Sequence, residues 1–136
     1  MRIAIFAAFL LIALAYSAWK GGAPERVMVA IALVIVIWDR FLVTHGTIVY
    51  HSLDVGYLAL DLFGAATTLA LAMTAYRFWT LPAAMLHAFP LLGHLSRAID
   101  VTMNPVAYLT MQVAASWLLP PLLILATWHH QQRLRR

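Results

Sequence analysis

Residues 81–101, LPAAMLHAFPLLGHLSRAIDV, set the helix count of this chain and with it the topology. The stretch is apolar, and it is long enough to supply the roughly 20 residues that a helix needs to cross hydrocarbon. It also carries His87, His94, Arg97 and Asp100, with Pro90 in its middle. If it crosses, the chain is a bundle of five transmembrane helices. If it lies at the interface or re-enters, there are four spans and a different set of polar residues can meet.

Four other apolar runs accompany it. The first follows Arg2 as IAIFAAFLLIALAYSA, predicting a helix over about 2–19. A lone basic residue, a short apolar core and small residues at Ser17 and Ala18 also fit a secretory signal peptide. The further spans downstream favour a retained helix. Lys20-Gly21-Gly22-Ala23-Pro24-Glu25-Arg26 makes a turn. Pro24 suits the start of the next helix, where a missing N–H costs nothing, and Glu25 suits the positive end of its dipole. That helix is expected over about 25–43, its apolar run followed by Asp39-Arg40. Residues 44–54, THGTIVYHSLD, read as a loop, followed by a helix over about 55–77.

On that third helix Asp54, Tyr57, Asp61, Gly64, Ala65, Thr68 and Ala72 recur at three- and four-residue spacing. A stripe of small residues lets another helix approach closely, the usual packing device in membranes. Met103-Asn104-Pro105 reads as a turn. The last helix, about 105–128, contains Gln112, Ser116 and Pro120-Pro121, and the prolines predict a kink near its centre.

Only 10% of the residues are charged, against about a quarter in soluble domains. A mean hydropathy of +0.86 agrees, so residues 1–136 read as one all-α integral membrane domain with no soluble module. There is no cysteine, which excludes disulfides, thiolate metal sites and cysteine nucleophiles. The net charge of +4 is weighted to the last four residues and suits an anionic membrane surface rather than nucleic acid.

Positively charged residues concentrate on the cytoplasmic side of membrane proteins. With five spans and the C-terminus inside, Lys20, Arg26, Arg77, Arg133, Arg135 and Arg136 lie inside, and Arg2, Arg40 and Arg97 lie outside. With four spans the bias nearly vanishes. Five spans also gather Tyr16, Trp19, Tyr76, Trp79 and Trp128 at one interface. Only Arg2, ahead of the first helix, argues the other way. The expected topology is five spans, with the N-terminus outside and the C-terminus cytoplasmic.

This topology places Asp61, His94, Arg97 and Gln112 at one depth in the outer third of the bilayer, close to Asp39 and Arg40. Ionisable groups within a membrane turn inward and pair. A contact of Asp61 with His94 or Arg97 is therefore expected, with Asp39–Arg40 or Arg97–Asp100 closing the cluster.

No spacing among His45, His51, Asp54 and His94 matches a compact metal motif. His87 and His94 share one helix face and supply no second helix for an axial haem ligand. Neither cofactor nor metal is expected. A phosphate loop, a nucleophile elbow and HExxH are all missing from the sequence, so no enzymatic activity is expected.

Pro90-Leu91-Leu92-Gly93-His94-Leu95-Ser96-Arg97-Ala98, Leu58-Ala59-Leu60-Asp61-Leu62, Pro105-Val106-Ala107-Tyr108 and Thr127-Trp128-His129-His130 together resemble a group of small bacterial multi-span membrane proteins. The resemblance covers most of the chain from the first loop onward. It implies a bacterial inner-membrane location and brings no activity with it. The functional expectation is an accessory or assembly subunit packed against a larger membrane complex or against its own copies. The alternative is a small oligomeric channel or transporter that uses the Asp/His/Arg cluster.

Overall fold

The computed structural model describes residues 2–45, 54–100, 102 and 104–136, and among these every regular element is helical. The elements are α1 (Arg2–Lys20), α2 (Ala23–His45), α3 (Val55–Thr74), α4 (Thr80–Ile99) and α5 (Pro105–Leu134). His51 lies outside the described residues.

The helix ends follow local chemistry. Gly22 caps α2, since Arg26 N–H donates to its carbonyl, and Glu25 reaches back to accept the Gly22 N–H at 2.9 Å. This is the glutamate half of a capping box, so α2 begins two residues earlier than Glu25. Asp54 caps α3 by accepting the Tyr57 N–H, and Asn104 caps α5 by accepting the Val106 N–H. At the far end α3 stops at Thr74, not near residue 77, because Tyr76 takes a left-handed conformation with φ of 49°.

The prolines of α5 act one turn upstream of where they stand. Pro120 and Pro121 have no N–H to offer Ser116 and Trp117. Residues Ala115–Leu118 tighten to a 3-10 turn, in which Leu119 N–H donates to the Ser116 carbonyl. The helix then resumes over Leu119–Leu134, past residue 128, because HHQQRL contains no breaker.

Each helix packs antiparallel on the next, and α5 returns to lie parallel to α1, so the five close into a ring. One end is held by hydrogen bonds between distant segments. Ser17 and Thr127 hydroxyls meet at 2.8 Å, Gln131 donates to the Lys20 carbonyl, and Trp79 Nε1–H donates to Glu25 at 2.9 Å. The apolar core of Leu14, Met28, Ile31, Leu71, Ala83 and Leu123 lies next to this end.

The polarity of the bundle is inverted relative to a water-soluble protein. Ser17, Glu25, Thr68, Thr80, His94 and Arg97 are buried, and large apolar side chains cover the outside. The inversion is clearest on α4. His87, Pro90, His94 and Arg97 turn inward, and Leu81, Met85, Phe89, Leu92 and Ile99 form the exposed stripe. The buried Thr68 hydroxyl is satisfied within its own helix, donating to Gly64 O at 2.7 Å.

Four helices are long and apolar enough to cross a membrane; α4 is not among them. Residues 81–101 therefore fall short of the apolarity expected of them. The same histidines, proline and arginine that lower the hydropathy of α4 are the residues it buries.

Candidate functional site

Asp61 on α3 and His94 on α4 face each other across the most extensive helix pair in the bundle. That pair is tight because Gly64 lies under the His87 ring; a Cβ built at Gly64 would stand 2.9 Å from His87 Cδ2 and 3.2 Å from Ile35 Cδ1. The small-residue stripe of α3 is thus occupied by α4 of the same chain.

His94 is the hub, 2% exposed, with a partner on each ring nitrogen. Its Nε2 lies 2.9 Å from Asp61 Oδ2, and its Nδ1 lies 2.7 Å from the Tyr108 hydroxyl. The proton positions follow from the partners. A carboxylate only accepts, so Nε2 carries hydrogen and donates to Asp61. The Tyr108 oxygen takes a backbone hydrogen bond from Asp54, which leaves its own O–H to donate to Nδ1. The result is a chain of hydrogen bonds from Asp54 N–H through Tyr108 and His94 to Asp61. Gln112 Nε2 is placed 3.2 Å from His94 Nε2. With that nitrogen protonated, the amide fits when its oxygen faces the ring as a second acceptor.

Arg97, also 2% exposed, lies behind this chain with its guanidinium carbon 5.7 Å from the Tyr108 ring centroid. The chain's other wing is on α2. Tyr57 O–H donates to Asp39 Oδ1 at 3.2 Å, and Asp39 Oδ2 pairs with Arg40 at 3.2 Å on the more exposed rim.

Of the residues singled out by sequence, the structure joins Asp61, His94 and Gln112 directly, sets Arg97 beside their partner Tyr108, and pairs Asp39 with Arg40. Asp100 is not part of the cluster. It caps the end of α4 in solvent and accepts from both the hydroxyl and the N–H of Thr102. Those two bonds, the hydroxyl's first, hold its carboxyl below the usual range. A short turn satisfies Asp100 locally, and Arg97 acts on it only as the weakest of the causes that lower its pKa.

Tyr108 and His87 are the residues that the depth argument missed. Tyr108 stands four residues before Gln112 and shares its helix face, a spacing that was available in the sequence. His87 donates from Nδ1 to the Ala83 carbonyl at 3.0 Å and lies on Gly64.

Beside this network is a cavity of about 560 Å³ that all five helices line. Asp39, Asp54, Tyr57, Asp61, His87 and Gln112 form its polar side; Phe6, Leu10, Val36, Leu60, Leu109 and Val113 are among its apolar walls. It lies towards the end where α1, α3 and α5 begin and α2 and α4 finish. The volume falls within the range of small-molecule sites. Among the described residues no three His, Asp or Glu side chains are arranged to hold a metal ion.

No protein-family model, curated protein or solved structure matches the chain. Its function has to be argued from its own residues and geometry.

Proposed function

We propose that the chain is a non-enzymatic integral membrane protein of a bacterial inner membrane that crosses the bilayer five times, with a cytoplasmic C-terminus. In this reading it acts as a small carrier or channel whose solute occupies the cavity between the helices. The inverted polarity supports the membrane setting: an apolar exterior and buried polar groups suit lipid. For α4 the same pattern favours a full span, since its polar groups need not meet lipid.

One observation carries the function. The buried Asp61–His94–Tyr108 chain borders a cavity of about 560 Å³ instead of being packed over on every side. Polar groups serving only as packing glue gain nothing from an adjoining space of that size. Of the features behind the accessory-subunit reading, the small-residue face of α3 is already filled by α4.

Native purification in mild detergent, followed by mass spectrometry of what stays bound, tests the proposal. The expected product is the chain alone or with copies of itself, carrying a small-molecule mass. Recovery of larger subunits in fixed stoichiometry would overturn the carrier reading in favour of an accessory subunit.

A further inference from the structure

The cavity combines an apolar body with an acidic side, and that combination selects a ligand class. Asp39, Asp54 and Asp61 line it, and Arg40 is the one cationic residue among its described lining residues. With Arg97 behind Tyr108, three carboxylates face two guanidiniums. Carboxylates therefore outnumber guanidiniums among the described residues around the cavity.

That excess is best placed on Asp61. Asp39 has its ion-pair partner in Arg40 at 3.2 Å. Asp61 instead meets the His94 imidazole, whose Nε2–H donates to it at 2.9 Å. The Asp61 side chain remains 21% exposed, onto the cavity it lines. A carboxylate held in an apolar enclosure is costly until a cation meets it.

We propose that the cavity binds an amphipathic monocation, an organic amine whose protonated nitrogen rests on Asp61. Its apolar body lies against Phe6, Leu10, Val36, Leu109 and Val113. All of these residues line the cavity. This assignment rests on the cavity being a solute site, and it adds the charge and shape of the solute.

The test compares three probes with one apolar body and different heads: decylamine, decanol and decanoate. Each is titrated calorimetrically into the full chain in nanodiscs, with empty nanodiscs subtracted. Decylamine is expected to bind saturably, one per chain and about tenfold or more tighter than decanol, with decanoate weakest, as charge-assisted hydrogen bonding to a carboxylate requires. Asp61→Asn removes the preference for the amine, bringing decylamine to the affinity of decanol.

Equal affinities, a preference for decanoate, or an amine preference that survives Asp61→Asn would overturn the amine assignment. The wild-type probe series decides the matter even if Asp61→Asn does not fold. Ala7→Trp, which puts bulk into the cavity from α1, separates the two levels of inference. Equal binding of all three probes, lost in Ala7→Trp, would keep the cavity as a solute site and refute the amine. Saturable binding by none of the probes would refute both.

Discussion

Replacing Tyr108 by phenylalanine removes one hydroxyl from a chain in which each bond sets the next, so its cost depends on Asp61. In the wild type, Asp61 holds the His94 proton on Nε2, and Nδ1 must receive a hydrogen from Tyr108. Without that hydroxyl, Nδ1 is left with no donor on a ring 2% exposed. An unsatisfied buried group costs about 1–3 kcal/mol in water-soluble proteins. Interhelical hydrogen bonds in membranes average nearer ~0.6 kcal/mol, because separated helices also find partners. The two together place Tyr108→Phe at about 1–2 kcal/mol.

Asp61→Asn should cost about 1 kcal/mol, since an amide oxygen still accepts but its charge is gone. It also frees the ring to change tautomer, so Tyr108→Phe should be milder once Asp61→Asn is already in place. The coupling energy is expected at about 0.5–1 kcal/mol, within the range of residues sharing one network. The assay is dodecyl sulfate-driven unfolding in mixed micelles, followed by circular dichroism, for the two single variants and the double. Additivity within about 0.3 kcal/mol would refute this chain of hydrogen bonds.

Gly64→Leu pushes a side chain into the His87 ring and should cost about 1–3 kcal/mol through overpacking, read in the same unfolding assay; wild-type stability would show that α3 and α4 do not pack as described. Glu25→Ala strips the acceptor from Trp79 Nε1 and Gly22 N and should cost about 2–4 kcal/mol, two bonds to a charged group less what partly exposed Trp79 regains. Its absorbance and fluorescence should report the freed Trp79 indole, and an unchanged spectrum would count against the bond. Thr102→Val removes the stronger of the two donors to Asp100, so the Asp100 pKa should move up towards the ordinary carboxylate value. Because the folded-state value is depressed, the contribution of Asp100 to stability is present above its unfolded pKa and lost as pH falls through the folded one. Carbon-13 NMR titration of labelled aspartate measures the shift, and an unmoved titration would sink the assignment.

Helix number and polar depth were legible in the sequence because both depend on spacing alone. His87, Pro90, His94 and Arg97 stand three and four residues apart, which places them on one side of α4 whatever its surroundings. Counting residues from the span ends brought Asp61 to the level of His94 for the same reason. Tyr108 was harder to see. A tyrosine in an apolar helix suits lipid, interface or interior equally, and only its partners decide. The role of Glu25 was half visible. Its place in the first turn gave the dipole contact, but the bond to Trp79 joins residues 54 apart. The cavity had no sequence signature, since it depends on how five separate helices are set around one space.

The contacts that hold the other end of the bundle also say what a carrier would have to break. Four aspartates and three arginines lie towards the cavity end. Six lysines or arginines and Glu25 lie towards the other, the end that the positive-inside rule assigns to the cytoplasm. There the Glu25–Trp79 bond ties α2 to the start of α4, and Ser17–Thr127 and Gln131–Lys20 tie α1 to α5. On the proposed reading this is a conformation with its binding site towards the periplasm and its cytoplasmic end closed. Release to the cytoplasm requires α1 to part from α5 at Ser17 and Thr127, and the α2 start to part from Trp79. Glu25 is therefore the residue at which stability and transport should diverge. Its loss weakens the bundle and at the same time favours the state open to the cytoplasm, whereas a change at Asp61 alters the site and leaves that closure intact.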